Sequence, residues 1–403
     1  MVAGAIDADT LVEQACETVG LDDFGAPSYR AGLDHLVDSL NGEAELNDLG
    51  RASATRMVST ILVDRLRIEE WVGAHPDVRN ERIERPIVIV GMSRSGTTAL
   101  SQLLGQDPAL RSLMRWEAMA AVPPAEPVTW RHDPRYLATV EADAMTDAVM
   151  PGLKALHHDP PDGPVECNQL FAHEFQGSMF WTAFRVPSFF RWTSDADLTD
   201  AYDYHHRVLQ LLQSRMGGTW NLKGPQHGVT METLRRRYPD AVLVATHRDP
   251  AVCCASTASL IAYLHGVSSE RARPQVIGRM AYDFITRCAD GLVADAVRHP
   301  GGDATLHVAY AQLVRDPLAI VRTLYDEMGR ELSLEAERAM TEHVEQRPHG
   351  KYGVHRYRAT DFGLDPGILE ERFREYREVF DVDSGVPRDR GMDRDDQRLG
   401  EAR

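Results

Sequence analysis

The sequence predicts an α/β fold in which a parallel sheet is flanked by helices and preceded by an N-terminal helical extension. Apolar runs of strand length at 87–90, 220–223, 241–247 and 305–310 alternate with stretches of helical pattern, and such alternation is typical of a parallel sheet. Before the first run, apolar residues recur at helical spacing, as from Met57 to Trp71. We therefore expect a helical extension over 1–82 that packs on the core, one domain over 83–380 and a polar tail over 381–403.

The first apolar run leads directly into a loop enclosed by Gly91 and Gly96, and Thr97 and Thr98 then open a helix. A strand, a glycine loop and a helix N-terminus direct backbone N–H groups at one point, which favours a bound phosphate. The G-x-x-x-x-G spacing predicts a P-loop-type sheet. Nucleotide triphosphatases have lysine after the second glycine, whereas this chain has Thr97 there and carries its charge inside the loop as Arg94. This difference argues against hydrolysis of ATP or GTP.

Basic residues also follow two later strands. Arg248 ends the run at 241–247, and Ser256 lies eight residues further on, about two turns into the predicted helix. A guanidinium and a hydroxyl so placed can both donate to one phosphate at the carboxyl edge of the sheet. Lys223 ends the run at 220–223 and is one of three lysines among 44 basic residues. Its compact ammonium is chemically distinct from a guanidinium fork. The alternatives are a capping or surface ion pair for Arg248, a solvated helix position for Ser256 and a surface lysine for Lys223.

Composition limits the class of function. The formal net charge of −17 argues against nonspecific nucleic-acid binding. No apolar run approaches the roughly 18 residues of a membrane helix, and the first residues lack the basic segment of a signal peptide. The five cysteines have no metal-site spacing. We expect a cytoplasmic enzyme that needs no metal. The extension could also cover a neighbouring subunit, which leaves a homodimer open.

The segment Arg94-Ser-Gly-Thr-Thr98 after a strand resembles the 5′-phosphosulfate loop of the sulfotransferases that use 3′-phosphoadenosine 5′-phosphosulfate (PAPS). Ser93 stands where most bacterial members have proline. The resemblance covers residues 84–357 and implies that the 5′-phosphosulfate is held by Arg94, Ser95, Gly96, Thr97 and Thr98. It further implies that Arg248 and Ser256 hold the 3′-phosphate. Lys223, in a segment similar to the family's Leu-Lys-x-Pro signature, would stabilise charge on the bridging oxygen.

Two residues compete for the role of general base. Glu117 follows the loop by about twenty residues, a separation similar to that of the catalytic Glu in the tyrosylprotein sulfotransferases. We expect a short strand to carry it into the cleft, where a carboxylate can take the acceptor proton. An ordinary ion pair with Arg111 or Arg115 is the alternative. The rival base is His227, four residues after Lys223.

Two further matches to the family are softer. Tyr310 stands seven residues before Pro317, the offset of a Tyr that contacts adenine in the cytosolic sulfotransferases. The segment from Arg347 to Gly353 is similar to the family's Arg-Lys-Gly-x-x-Gly loop. Its usual basic positions are occupied by other residues, so Lys351 or Arg347 would supply the charge toward the 3′-phosphate.

Together these observations predict a sulfotransferase that moves the sulfuryl group of PAPS to a hydroxyl or amine of a small acceptor. An aromatic cluster over 171–192 either lines an apolar acceptor pocket or is ordinary core packing. A P-loop kinase of a small molecule is one alternative, although Thr97 contradicts it. A nucleotide-binding scaffold without turnover is the other.

Overall fold

The computed structural model describes residues 4–157, 159–271, 273–300, 305–347 and 357–384. Its sheet has five strands: β1 (Ile87–Gly91), β2 (Leu110–Ser112), β3 (Thr219–Lys223), β4 (Val242–His247) and β5 (Leu306–Ala309). They lie in the order β2-β3-β1-β4-β5, and every neighbouring pair is parallel. The predicted α/β fold with a P-loop-type parallel sheet is confirmed. Because β1 lies between β3 and β4, the residues that follow these three strands meet at one edge of the sheet.

Helices flank this sheet on both faces. In chain order they are α1 (Ala8–Val19), α2 (Tyr29–Gly42), α3 (Asp48–Ala74), α4 (Thr97–Leu104), α5 (Arg115–Met119), α6 (Pro134–Val149), α7 (Leu153–Leu156), α8 (Asn168–Phe171), α9 (Met179–Ala183), α10 (Pro187–Asp195), α11 (Thr199–Gln213), α12 (Pro225–Val229), α13 (Met231–Arg237), α14 (Pro250–Ser268), α15 (Pro274–Arg298), α16 (Tyr310–Arg315), α17 (Pro317–Glu327), α18 (Leu334–Gln346), α19 (Pro366–Arg372) and α20 (Arg374–Phe380). Several begin with proline after a capping residue, since proline needs no N–H partner at that position.

The N-terminal extension forms three helices that pack on the core of their own chain. Leu36 and Leu62 are fully buried in the same hydrophobic cluster as Val88 of β1. Arg65 on α3 is also fully buried, and its Nη1 donates to Glu174 Oε1 at 2.7 Å. A buried charge is costly unless a counter-charge pairs with it. This contact therefore holds α3 beside the segment that carries Glu174. The boundaries at 82 and 381 stay predictions, and most of the polar tail lies outside the described residues.

Helix α14 runs beside the sheet and, contrary to the expectation from the sequence, is long and apolar enough to span a membrane by length and composition. In this fold, 61% of that helical window is buried inside the protein. Ala255 and Ile261, for example, are no more than 1% exposed. Its composition is therefore that of a core helix, as is common beside a parallel sheet.

Candidate active site

The loop after β1 adopts a backbone conformation that its two glycines permit. Gly91 has a φ of +143° and Gly96 a φ of +103°, values that residues with side chains rarely adopt. A Cβ on Gly91 would lie 2.6 Å from Thr246 Oγ1, and one on Gly96 would lie 2.9 Å from the Tyr310 ring. Neither position has room for a side chain, so the loop packs closely against β4 and the start of α16.

Ser95 supports this loop from within. Its hydroxyl donates to the Met92 carbonyl at 2.7 Å and shares a second hydrogen bond with Thr246 Oγ1 at 2.7 Å. Its backbone N–H also donates to the Met92 carbonyl, at 3.2 Å. The geometry therefore gives Ser95 a supporting role in place of the cofactor contact expected from the sequence. Thr97 and Thr98, in contrast, line a cavity at the first turn of α4.

Two guanidinium groups meet beside the loop. Arg94 has a φ of +73°, a strained value for a residue with a side chain, and its Nε donates to Ser256 Oγ at 3.2 Å. Arg248 Nη1 donates to the carbonyl of Arg94 at 3.1 Å. Burial lowers the pKa of Arg94, and the charge of Arg248 lowers it further. Within the described part of the chain, no carboxylate pairs with either group, so the pair favours a bound anion.

Lys223 reaches the same place from β3. It is paired in register with Ile89 of β1 and is fully buried. Its Nζ donates to Thr98 Oγ1 at 3.1 Å and lies 3.9 Å from Asp159 Oδ1 and 3.8 Å from Glu166 Oε1. The Lys223 ammonium thus lies between the N-terminus of α4 and the carboxylates of Asp159 and Glu166.

A cavity of about 430 Å³ lies at this edge of the sheet, and Lys223 is not among its described lining residues. Its polar lining includes Arg94, Thr97, Thr98, Arg248 and Tyr310. Its apolar lining is formed by Met57, Leu153, Met179, Trp181, Leu260, Ile261, Leu264 and Phe284. His157, Asp159 and Glu166 lie among the lining residues as well. The cavity lining therefore combines cationic groups, apolar side chains and carboxylates, which suits a reaction between an anionic donor and an apolar acceptor.

Tyr310 stands next to Arg248, and its predicted contact with adenine stays a prediction. The Arg248 guanidinium carbon lies 4.3 Å from the centre of the Tyr310 ring, a distance typical of a cation–π contact. Tyr310 begins α16 directly after β5. Of the two further candidates for the 3′-phosphate, Arg347 donates through Nη1 to Gln102 Oε1 at 3.2 Å, and Lys351 lies outside the described residues.

The structure places Glu117 differently from the prediction. Glu117 lies on helix α5 and not on a strand, and it is 1% exposed. Both carboxylate oxygens accept from Arg111, at 2.6 and 2.9 Å. It does not belong to the lining of the cavity among the described residues. Because a base must touch the acceptor, we correct the assignment: Glu117 holds β2 and α5 together through the Arg111 ion pair.

His227, the runner-up, is also turned into the protein. It is 1% exposed and shares a 2.7 Å hydrogen bond between its Nδ1 and the Tyr202 hydroxyl. Burial lowers its pKa to about 3, which makes it a weak base at neutral pH. It is not among the described residues that line the cavity. The structure therefore does not bring His227 to the acceptor either.

Sequence reasoning missed the carboxylates that do line the cavity. Asp159 and Glu166 lie in the irregular connection between β2 and β3, where no motif marked them. His157 Nε2 and Asp159 Oδ2 are 2.7 Å apart. Burial alone would raise the pKa of Asp159, but the charges of His157 and Lys223 hold it below its usual range. Glu166 accepts from the Asn168 side-chain amide at 3.0 Å.

The aromatic cluster over 171–192 is mostly core. Phe171, Phe175 and Phe180 are fully buried and pack in the central cluster. Of the aromatic residues in this segment, the described cavity lining includes Trp181. Most of the apolar lining comes from other elements, such as α14, with a contribution from Met57 on the N-terminal extension.

We expect the replacement of Glu117 with glutamine to lower stability and leave catalysis intact. It would leave the buried Arg111 without its counter-charge, which costs about 3 kcal/mol in the free energy of unfolding. Urea unfolding measures this loss. The exposed pair Glu126–Arg215 supplies the control, since Glu126→Gln should change stability by no more than about 0.5 kcal/mol. A stable Glu117→Gln variant that has lost turnover would restore Glu117 as the base.

The fold and this cavity together define a group-transfer enzyme of the P-loop type. The chain matches the model of the sulfotransferase family over residues 86–333 and therefore belongs to that family. It is similar to the sulfotransferase STF9 from Mycobacterium avium, with 31% identity, 95% of this chain and 98% of that chain covered, and a TM-score of 0.87. It is also similar to the sulfotransferase STF1 from Mycobacterium tuberculosis H37Rv, with 33% identity, coverage of 92% and 99%, and a TM-score of 0.81. No curated protein sequence matches the chain significantly.

Proposed function

We propose that this protein transfers the sulfuryl group of PAPS to a hydroxyl or amine of a small, mainly apolar acceptor. The observation that supports this proposal is that Arg94 and Arg248, joined by a hydrogen bond, line the same cavity as Thr98, to whose hydroxyl the buried Lys223 donates. Two guanidinium groups with no carboxylate partner among the described residues are costly beside a helix N-terminus unless an anion joins them. A donor with phosphates at both its 3′ and 5′ positions supplies that anion.

The residues present fit the two ends of such a donor. The loop and the first turn of α4 offer backbone N–H groups and the Thr97 and Thr98 hydroxyls to the 5′ end. Arg248 and Ser256, both in contact with Arg94, offer a guanidinium and a hydroxyl to the 3′-phosphate. The Tyr310 ring beside Arg248 is a surface on which a base can stack.

Lys223 is proposed to act on the charge that develops during transfer. When bound, PAPS supplies a sulfuryl group whose bond to the 5′-phosphate oxygen breaks as the acceptor oxygen or nitrogen bonds to sulfur. The electron pair of the broken bond stays on the phosphate oxygen. Lys223 and the N-terminus of α4 stabilise that charge, and a preorganised cation in a water-poor site is worth several kcal/mol in the transition state.

Glu166 replaces Glu117 as the proposed general base. Its carboxylate lies beside Lys223, lines the cavity and is held by Asn168. An acceptor hydroxyl between Glu166 and the sulfuryl group would give its proton to this carboxylate as the new bond forms. Asp159 is the less suitable candidate: burial alone would raise the pKa of its carboxyl, but the charges of His157 and Lys223 hold that pKa below its usual range, which makes it a weaker base.

The test is transfer of radiolabelled sulfate from PAPS to a panel of phenols, sterols and long-chain alcohols. We expect radiolabelled, sulfated forms of the apolar acceptors. One adenosine 3′,5′-bisphosphate should be released for each acceptor molecule sulfated. Hydrophilic sugars of similar size serve as the contrasting panel. Transfer of phosphate from labelled ATP in place of sulfate from PAPS would mean a kinase and overturn the proposal.

Replacing Arg248 with alanine is expected to weaken binding of adenosine 3′,5′-bisphosphate by about 10- to 150-fold. The variant loses a charge-assisted contact worth about 1.5–3 kcal/mol. Calorimetry measures the dissociation constant directly. Arg330→Ala is the matched control, because Arg330 contacts Thr219 at the start of β3, at the opposite end of that strand from Lys223. Unchanged affinity in the Arg248 variant would remove Arg248 from the donor site.

A further inference from the structure

Helix α20 lies beyond the residues that the family model matches, which end at 333. It nevertheless packs against the side chains of His247 and Asp249, the two residues that flank Arg248. The Tyr376 hydroxyl and His247 Nδ1 share a hydrogen bond of 2.7 Å. The Phe380 ring stacks on the His247 ring, with centres 4.1 Å apart and planes at 22°. Two side chains of α20, those of Tyr376 and Phe380, therefore contact His247, the residue before Arg248.

The residue after Arg248 is held by the same helix. Arg377 Nη1 donates to Asp249 Oδ1 at 3.0 Å, and Asp249 and Arg377 are 3% and 9% exposed. Asp249 also caps α14 by accepting from the Ala251 N–H at 3.2 Å. Because α14 carries Ser256, this one ion pair connects α20 to both residues proposed to hold the 3′-phosphate.

His247 completes the arrangement on the side of β5. Its Nε2 and His307 Nδ1 share a hydrogen bond of 2.8 Å. Burial, with a smaller contribution from His307, lowers the pKa of His247 to about 3, so the ring is neutral at physiological pH. It thus adds no positive charge beside Arg248 and acts through its hydrogen bonds and stacking.

We propose that α20 is a clamp that positions Arg248, so that Tyr376 and Arg377 set the affinity of this enzyme for a 3′-phosphate without touching it. This inference rests on the proposed function. A guanidinium binds phosphate through a fork of fixed geometry, and a small displacement forfeits one of its two hydrogen bonds. The backbone from His247 to Asp249 determines where the Arg248 side chain begins, and α20 contacts the residue at each end of this segment.

The experiment compares two ligands that differ only at the 3′ position. Adenosine 3′,5′-bisphosphate carries the 3′-phosphate, whereas 5′-AMP lacks it. Calorimetry gives both dissociation constants for the full chain and for the folded variants Tyr376→Phe and Arg377→Met. We expect each variant to weaken binding of adenosine 3′,5′-bisphosphate by about tenfold and binding of 5′-AMP by less than about threefold. Arg377→Lys, which keeps the charge, should recover part of the loss.

Arg372→Met is the matched control. Arg372 ends α19 directly before this clamp and pairs with Asp290 at the surface, so both dissociation constants should stay at the wild-type values. An unchanged ratio of the two constants in Tyr376→Phe and Arg377→Met would overturn the clamp. If Arg377→Met fails to fold, Tyr376→Phe alone decides, since it removes a single hydroxyl. A wild-type protein that does not distinguish the two ligands would instead contradict the proposed donor.

Discussion

Replacement of Lys223 with alanine is expected to lower kcat by about 10²–10³-fold while changing the affinity for adenosine 3′,5′-bisphosphate by less than about tenfold. The reason lies in where the ammonium stands. It is fully buried, bonded to Thr98 at the start of α4, and close to the carboxylates of Asp159 and Glu166. In the proposed mechanism it lies beside the breaking bond, where negative charge grows only as the sulfuryl group leaves. Steady-state kinetics and calorimetry on the same preparations separate the two effects.

Lys154 provides the control for this variant. It is partly exposed and pairs with Asp147 on α6, so Lys154→Ala should leave kcat near the wild-type value. Equal losses of turnover and product affinity in Lys223→Ala would show that Lys223 only clamps the donor. That result would mean that Lys223 does not stabilise the transition state selectively.

Glu166→Gln is expected to lower kcat by about 10²–10⁴-fold with donor affinity unchanged. The amide keeps the shape of the side chain and the contact with Asn168, but it cannot accept a proton. The measurement is kcat at saturating PAPS, together with the dissociation constant for adenosine 3′,5′-bisphosphate. The size of this effect tests whether Glu166, in place of Glu117, is the general base.

Asp159→Asn is the comparison that gives this result its meaning. Asp159 lies as close to Lys223 as Glu166 does, but it already pairs with His157. We expect a smaller loss of kcat, because the position orients His157 and Lys223 and does not receive the proton. A larger loss in Asp159→Asn than in Glu166→Gln would reverse the two roles.

The residues predicted well are those that local sequence fixes in space. Arg94 lies between two glycines that determine its loop, and Lys223 and Arg248 stand at the ends of strands that are recognisable as apolar runs. The carboxyl ends of parallel strands lie at one edge of their sheet, so the sequence predicted that these three residues share that edge. They also lie close together because β1 is flanked by β3 and β4, and the sequence did not predict this strand order.

The base was not predictable in the same way. Spacing placed Glu117 near the loop in sequence, but its side chain turns toward Arg111, six residues away, and leaves the cavity. Strand β2 is three residues long and shows no apolar run. Glu166 and Asp159 come from an irregular connection whose path depends on tertiary packing. A carboxylate in such a segment carries no periodic signal.

The apolar lining of the cavity illustrates the same limit. Aromatic residues over 171–192 suggested a pocket, and Trp181 does line the cavity, yet Phe171, Phe175 and Phe180 fill the core. Most of the apolar lining comes from other elements, such as α14 and α3, which supplies Met57. Only the folded arrangement of these elements brings their side chains together.

Calorimetric titration of the wild-type protein with adenosine 3′,5′-bisphosphate and with ATP tests the central claim most directly. The proposed 3′-phosphate site consists of the Arg248 guanidinium and the Ser256 hydroxyl, and the chain has Thr97 where the phosphate-binding lysine of a P-loop kinase stands. We therefore predict that adenosine 3′,5′-bisphosphate binds at least about tenfold more tightly than ATP, with or without magnesium. Tighter binding of magnesium ATP, or no binding of adenosine 3′,5′-bisphosphate, would contradict the proposal that this cavity takes PAPS.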